Sequence, residues 1–516
     1  MSEIDVKPAA LSDLPSPRDA LSEPLDSEML GDANLRTRVL RGLAWSTAVV
    51  VTVQVARLCS GLVLVHFLQP HDYGVAGMAL LASSFVLAIS DLGLGAALVQ
   101  RPSISEADRS TVFWANVATG ALLTVSGLLL AGPFARFFHQ PQVRPLLMVL
   151  SIGFFITSLA MTQSALFQRA MNFRAISIRL MIAHVAGAGV AITVAALGGG
   201  AWALIAQALT VSIVSTSFLW LLSSWRPRLV FSRGSLRDLG GFGFTYLGSR
   251  LLDYAQANAD NLLVGRYLGS TALGLYSVSY NVILLPLQRL FVPVQDALYP
   301  ALSRIQDDVA RLVQVWLRVT RLVGAVSAPT MLGLIVVAPD FTDVVLGRQW
   351  ADATPVIRIL AAVTLMQGFN AVGERMLMAQ ARVSLVFRFS MLRTVLSIGA
   401  FVVGLRWGLI GVAACYAIVT IPVQLYLTSL VTRSLHIGAR AFITAIAGVA
   451  EAAIAMFLVC WAVRVELIHA GVGAPVRLVA IVALGVVVYL PILWWRSPEA
   501  IREIRSLRRG RPTSAA

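Results

Sequence analysis

The sequence predicts an all-α polytopic membrane protein of about fourteen transmembrane helices. They form two six-helix lobes related by a parallel pseudo-twofold repeat, with two extra helices at the C-terminal end. Three observations carry this expectation. Of 516 residues, 57% are hydrophobic and 13% charged, with a mean hydropathy of +0.78, too little charge for a water-facing surface of this size. Apolar runs near the ~20 residues that span hydrocarbon recur from Leu43 onward. Short patterns in the first half also return in the second at a nearly constant offset.

Residues 1–35, rich in Pro, Ser, Asp and Glu, read as a disordered cytoplasmic tail, and a cleavable signal peptide is not expected. The N-lobe, 36–225, holds spans at 43–67, 74–98, 111–132, 146–168, 176–197 and 201–223. A cytoplasmic linker, 226–239, leads to the C-lobe, 240–435, with spans at 240–264, 272–298, 312–338, 354–378, 384–404 and 407–431. Two further spans, 441–462 and 476–495, fill 436–496, and 497–516 is a basic cytoplasmic tail. Small residues such as those of VAGAGVA (185–191) allow close helix approach.

The net charge of +15 is almost entirely arginine, since Lys7 is the sole lysine. Placing both termini and every second loop in the cytoplasm puts 23 arginines on that side, counted from Arg36 onward. The opposite loops hold 7: Arg136, Arg144, Arg266, Arg348, Arg406, Arg464 and Arg477. Such an excess over short loops is the positive-inside signal, so the basic charge reflects topology and no nucleic-acid partner is expected. Cys59, Cys415 and Cys460 lie far apart within spans and read as apolar packing residues.

The repeat rests on two matches. Phe67-Leu68 precedes Gly74 as Tyr267-Leu268 precedes Gly274, at an offset of 200; Trp202, Leu204 and Ile205 return as Trp407, Leu409 and Ile410, at 205. These place spans 1–6 and 7–12 in the same orientation.

Ionisable residues inside spans are the candidate site. Residues 242–269 carry Arg250, Asp253 and Asp260 in one apolar run. At ~100° per residue the two aspartates lie about 20° apart, with Arg250 one turn away and Gln256 widening the stripe. Each charge costs ~2.5–3.5 kcal/mol at mid-bilayer, so this face requires protein or a water-filled cavity. Span 1 carries Arg57, span 2 Asp91, and span 5 Arg179 and His184. Arg289 and Asp296 share a face of span 8. Glu374 and Arg375 are neighbours on span 10 and are not expected to share a narrow face. Arg318 and Arg321 open span 9, where they can snorkel to the cytoplasmic surface. Arg57, Arg250 and Arg289 sit deeper. Buried arginines suit an anionic cargo, because the guanidinium stays charged and forks onto phosphate oxygens. Asp91, Asp253, Asp260, Asp296 and Glu374 either hold those arginines or take up H⁺ or Na⁺. Residue chemistry alone leaves both roles open. Neither a metal motif nor a nucleotide or hydrolase motif is present, so no cofactor is expected beyond such a coupling ion, and no enzyme.

WSTAVVVTVQVARL (45–58), FLQPHDYGVAGMA (67–79), DLGLGAALVQ (91–100) and above all DNLLVGRYLGSTALGLYSVSY (260–280) resemble the Wzx-type polysaccharide exporters. That family lies in the superfamily that also holds the peptidoglycan lipid flippase and the multidrug and toxin exporters. The resemblance runs over roughly residues 40–435 and is strongest to exporters of colanic acid, xanthan and succinoglycan units. It implies a V of two lobes around a cationic cavity in a bacterial inner membrane. The implied cargo is an oligosaccharide on undecaprenyl diphosphate, turned from the cytoplasmic to the periplasmic leaflet with an ion gradient. Glycosyltransferases and a polymerase are the implied partners. Arg57, Arg250 and Arg289 are candidates for the diphosphate on depth and chemistry. The alternatives are a drug exporter of the same superfamily, which needs fewer arginines for its cationic or neutral cargo, and a membrane polymerase or ligase, which needs a roomy outward loop that this chain lacks.

Overall fold

The computed structural model describes residues 53, 57, 59–90, 94–101, 103–234, 243–499 and 502–503. Among the described residues there are helices and connecting turns, and no strand. In chain order the helices are α1 (59–67), α2 (Pro70–Ser90), α3 (Leu94–Gln100), α4 (Glu106–Phe137), α5 (Val143–Arg169), α6 (Phe173–Ala196) and α7 (Trp202–Leu222). Gly243–Arg304 follows, broken by Gly269 at φ 86° and ψ −177° into α8 (243–268) and α9 (270–304). Only a residue without a β-carbon takes that conformation cheaply. Then come α10 (Val309–Phe341), α11 (Thr354–Phe369), α12 (Gly373–Ala379), α13 (Val383–Gly404), α14 (Gly408–Ser434), α15 (Ala439–His469) and α16 (Ala474–Arg496).

Nine stretches among the described residues are long and apolar enough to cross a membrane. One of them, Val383–Ser434, has 52 residues and is divided by a tight turn at Leu405–Trp407, enough for two crossings. The chain is a multi-span membrane protein. Several helix starts follow from local chemistry. Ser105 and Asp108 cap α4 reciprocally, Ser105 N donating to Asp108 Oδ2 at 2.9 Å and Asp108 N to Ser105 Oγ at 3.1 Å. Asn172 and Asp308 accept from Ala175 N and Arg311 N at the starts of α6 and α10.

The chain packs as two compact units. The first comprises Met1–Val63, Ala82–Ala131 and Pro145–Leu252. Within it α4 and α5 meet along a stripe of small residues. A β-carbon on Gly120 would lie 2.3 Å from Ser158 Oγ, and one on Gly127 2.2 Å from Ser151 Oγ. Thr124 Oγ1 donates across the seam to the Ser151 carbonyl at 2.9 Å. Small residues are what bring apolar helices together in lipid, where the hydrophobic effect supplies no drive. Arg169 donates to the carbonyls of Leu98, Val99 and Arg101, closing the C-terminal end of α3. The described part of the segment after α7 lies along α4: Trp225 Nε1 donates to Glu106 at 2.9 Å, Trp114 Nε1 to the Arg228 carbonyl at 2.9 Å, and Arg228 N to Ser110 Oγ at 3.1 Å.

The second unit takes Leu64–Leu81 and Gly132–Arg144 from the first half of the sequence and adds Asp253–Ala516. Here the two copies of the sequence repeat touch each other. A β-carbon on Gly74 would fall 1.7 Å from the Ser270 carbonyl oxygen, and one on Gly274 1.9 Å from the Pro70 carbonyl oxygen. Positions 70 and 74 correspond to 270 and 274 at the offset of 200, so the contact is reciprocal. His71 Nδ1 and Ser270 Oγ, 2.8 Å apart, join the crossing, and buried Trp350 donates to the Val65 carbonyl at 3.0 Å.

The last two helices are tied on by one buried carboxylate. Asp340, 1% exposed at the end of α10, accepts from Arg464 Nε of α15 at 2.7 Å and from Arg477 Nε of α16 at 2.7 Å. The sequence reading leaves Arg318 and Arg321 to snorkel. They pair with the C-terminal segment: Arg321 with Glu499 and Glu503, and Arg318 Nε with Glu503 at 3.6 Å. Carboxylates brought within reach by the fold take the place of water.

Candidate functional site

Span 10 is interrupted. Asn370, Ala371 and Val372 separate α11 from α12, which frees backbone and side-chain polar groups in the middle of an apolar stretch. Asn370 fills the gap on one side, its Nδ2 donating to the Gln424 carbonyl at 3.2 Å and its Oδ1 accepting from Thr428 at 2.8 Å. On the other side opens a polar cavity of about 650 Å³ within the second unit. Gln256 of α8, Gln367 of α11, Glu374 and Arg375 of α12, Ser390 and Arg393 of α13, and Tyr416 and Thr420 of α14 line it. Irregular backbone at membrane depth is tolerated where it lines such a cavity.

Glu374 is ion-paired with Arg393, both about 30% exposed, and the Arg393 guanidinium lies 5.6 Å from the Phe389 ring centre. Arg375 lines the same cavity, although adjacent residues are not expected to share a narrow face. That expectation assumed a continuous helix with a narrow polar stripe; a break at 370–372 and a wide cavity admit both side chains. A smaller void of about 110 Å³ adjoins, sharing Gln256, Ala257, Arg393 and Tyr416 and reaching Asp260. Asp260 is 7% exposed. Its Oδ2 accepts from Tyr276 Oη at 3.0 Å and its Oδ1 from Asn261 N at 2.7 Å, so the kink at Gly269 folds the α9 tyrosine back onto it. Gln256 thus lies beside Asp260, as helical spacing predicts.

The other sequence candidates fall differently. Asp91 lies outside the described residues. Arg250, Asp253, Arg289 and Asp296 stand on described helices, but their side chains lie outside the described residues. Arg57, in the first unit, is exposed, and its Nη2 lies 2.8 Å from His184 Nε2 of α6. Among the described residues this imidazole is the hydrogen-bond partner of the Arg57 guanidinium. Arg179 is half-buried with no hydrogen-bond partner for its Nε among the described residues.

The second unit also holds an apolar cavity of about 500 Å³, walled by α9, α10, α15 and α16 through residues such as Val282, Pro329, Val337, Met456, Ile481 and Val486. Sequence reasoning missed the apolar cavity, and for the polar one it named Gln256, Glu374 and Arg375 without joining them, because the helices that wall each cavity are far apart in the chain. The one local sign was the Asn370–Glu374–Arg375 polarity within an apolar span. Among the described residues no group of His, Cys, Asp and Glu fits a metal ion.

The comparisons with known proteins agree with this architecture. The chain is 29% identical over 396 residues to the lipopolysaccharide biosynthesis protein WzxC of Escherichia coli (strain K12), covering 75% of this chain and 80% of that protein. It is 27% identical over 499 residues to the succinoglycan biosynthesis transport protein ExoT of Rhizobium meliloti (strain 1021), covering 95% and 99%. In fold it is similar to the lipid II flippase MurJ in an inward closed conformation: TM-score 0.71 at 14% identity, covering 88% of this chain and 99% of that one. An inward-facing multidrug resistance MATE family transporter gives 0.59 at 16% identity, covering 74% and 94%. These fold neighbours are transporters and flippases rather than catalysts. Residues 63–355, more than half of the 516, match the model of one family, and the chain belongs to the polysaccharide biosynthesis protein family.

Proposed function

We propose that the protein is a flippase that carries an oligosaccharide on a polyprenyl diphosphate from the cytoplasmic to the periplasmic leaflet of a bacterial inner membrane, by alternating access. The observation that carries the reading is Arg57, a permanent cation in span 1 whose guanidinium meets a neutral ring and no carboxylate among the described residues. An always-charged fork without a counter-ion is what a diphosphate needs as partner. The transport and biosynthesis names of ExoT and WzxC favour the same cargo class. Arg250 and Arg289 are further candidates for the diphosphate. Asp91, Asp253, Asp260, Asp296 and Glu374 are candidates for pairing or for coupling to H⁺ or Na⁺. Both termini are assigned to the cytoplasm on the arginine asymmetry, and glycosyltransferases and a polymerase are the proposed partners.

The test is transport of a fluorescent lipid-linked oligosaccharide in proteoliposomes, with a cationic dye as the competing cargo. Movement of the lipid diphosphate, lost in Arg57→Ala at normal protein abundance, is the expected result. Movement of the dye alone would establish a drug exporter instead.

A further inference from the structure

Arg57 and His184 stand at the same depth. At ~1.5 Å per residue, Arg57 is about 15 Å from the end of α1 at residue 67, and His184 about 18 Å from the corresponding end of α6. Both therefore lie near the middle of a hydrocarbon layer ~30 Å thick. Arginine is always protonated and has only donors, so in the 2.8 Å contact His184 Nε2 accepts. The imidazole is then neutral, with its proton on Nδ1. No other charge faces it among the described residues. The packed helix α7 (WALIAQALTVSIVSTSFLWLL) has no ionisable residue, and Arg179, on α6 itself, lies about 140° round the helix. On α1, His66 is nine residues from Arg57, about 13 Å away along the axis.

We propose that His184 is a protonation site built into the anion pocket. It is neutral and bound to Arg57 when the pocket is empty, and protonated when cargo is held. The inference rests on the lipid-diphosphate reading above. A diphosphate diester carries two permanent negative charges, and Arg57 supplies one positive charge. When Arg57 turns its N–H groups to phosphate, the Nε2 lone pair is released beside an anion, and a proton from water on the side of entry occupies it. The loaded pocket then balances two charges with two. The empty pocket holds one cation, so two adjacent cations never face each other unscreened at mid-membrane. The proton leaves to water when the cargo leaves. Linkage fixes the sign: the bound state binds the proton more tightly, so cargo affinity falls as pH rises, by at most about tenfold per pH unit.

The experiment uses the full chain in lipid nanodiscs and a farnesyl diphosphate esterified to N-acetylglucosamine. This diester has no titrating group near neutrality, so any proton counted belongs to the protein. Calorimetry in two buffers of different ionisation enthalpy, between pH 6 and 8, counts protons taken up. The expected result is uptake approaching one proton per bound diester in the wild type. His184→Gln, which can still accept from Arg57, should bind with no uptake attributable to this site and with a flatter pH profile. His184→Arg, permanently charged, should bind tightly at pH 8, also without that uptake. Wild-type binding without proton uptake, or full uptake retained in His184→Gln, overturns the proposal and leaves the cargo reading standing. Absence of diester binding, or binding undiminished in Arg57→Ala, removes the cargo reading and the proposal with it.

Discussion

Replacing Gly74 with Ala places a β-carbon 1.7 Å from the Ser270 carbonyl oxygen, where real contacts begin at 3.0 Å. The two helices must therefore separate by at least 1.3 Å, the difference of those distances, because the obstacle is backbone and cannot rotate away. Overpacking of this kind costs ~1–3 kcal/mol, and the backbone obstacle puts it near ~3. The alanine recovers ~1 kcal/mol of helix propensity, which leaves a net loss of about 2 kcal/mol. Gly274→Ala, with 1.9 Å to the Pro70 carbonyl oxygen, should lose a similar amount. The two contacts are faces of one crossing, so the gap opened for one β-carbon admits the other. The double variant then pays about 3 kcal/mol of strain once, regains ~2 in propensity, and ends more stable than either single variant. Gly61→Ala is the control, since its β-carbon would meet nothing within 4 Å. Denaturant unfolding in micelles, followed by tryptophan fluorescence, measures all four. A Gly74→Ala variant as stable as Gly61→Ala, or a double variant whose loss equals the sum of the singles, would refute the reciprocal crossing.

Asp340→Ala leaves Arg464 and Arg477 as uncompensated charges and should destabilise by ~3–5 kcal/mol; converting all three residues to leucine should recover most of it, read by the same unfolding assay. Glu374→Gln breaks a partly exposed ion pair worth at most ~1 kcal/mol, so proteoliposome transport should fall while unfolding stays near wild type; parallel losses would reduce Glu374 to a structural role. Outside the spans, burial raises the carboxyl of Glu503 above the ordinary glutamate range, with Arg321 and Arg318 opposing. Between the ordinary and the raised value the docked tail binds more protons than the released one, so docking weakens as pH rises through that window. Tryptic cleavage at exposed Arg502 should therefore speed up with rising pH, after correction on an unfolded peptide, and Glu503→Gln should abolish that extra slope. Reporter fusions after Arg101, Arg228 and Arg433 should read cytoplasmic and those near Gln142 and Gln349 periplasmic; a periplasmic signal at Arg228 would reverse the orientation.

Composition and spacing by themselves determined that this chain crosses a membrane many times, because a helix in hydrocarbon must be about twenty apolar residues long whatever surrounds it. The match of Gly74 to Gly274 was legible for the same local reason: a glycine at a fixed place marks a close approach, although the sequence could not say that each glycine meets the other's turn. Tertiary structure decided what the polar residues do. Asp260 turns to Tyr276 because Gly269 folds α9 back onto α8, and Glu374 and Arg375 share a cavity because span 10 breaks at Asn370. Arg321 finds Glu499 and Glu503 some 180 residues away, and Arg57 finds His184 127 residues away. Helical periodicity assigns a charge to a face. In a medium where an unpaired charge is costly, the partner on that face is chosen by whichever distant segment the packing brings within about 3 Å.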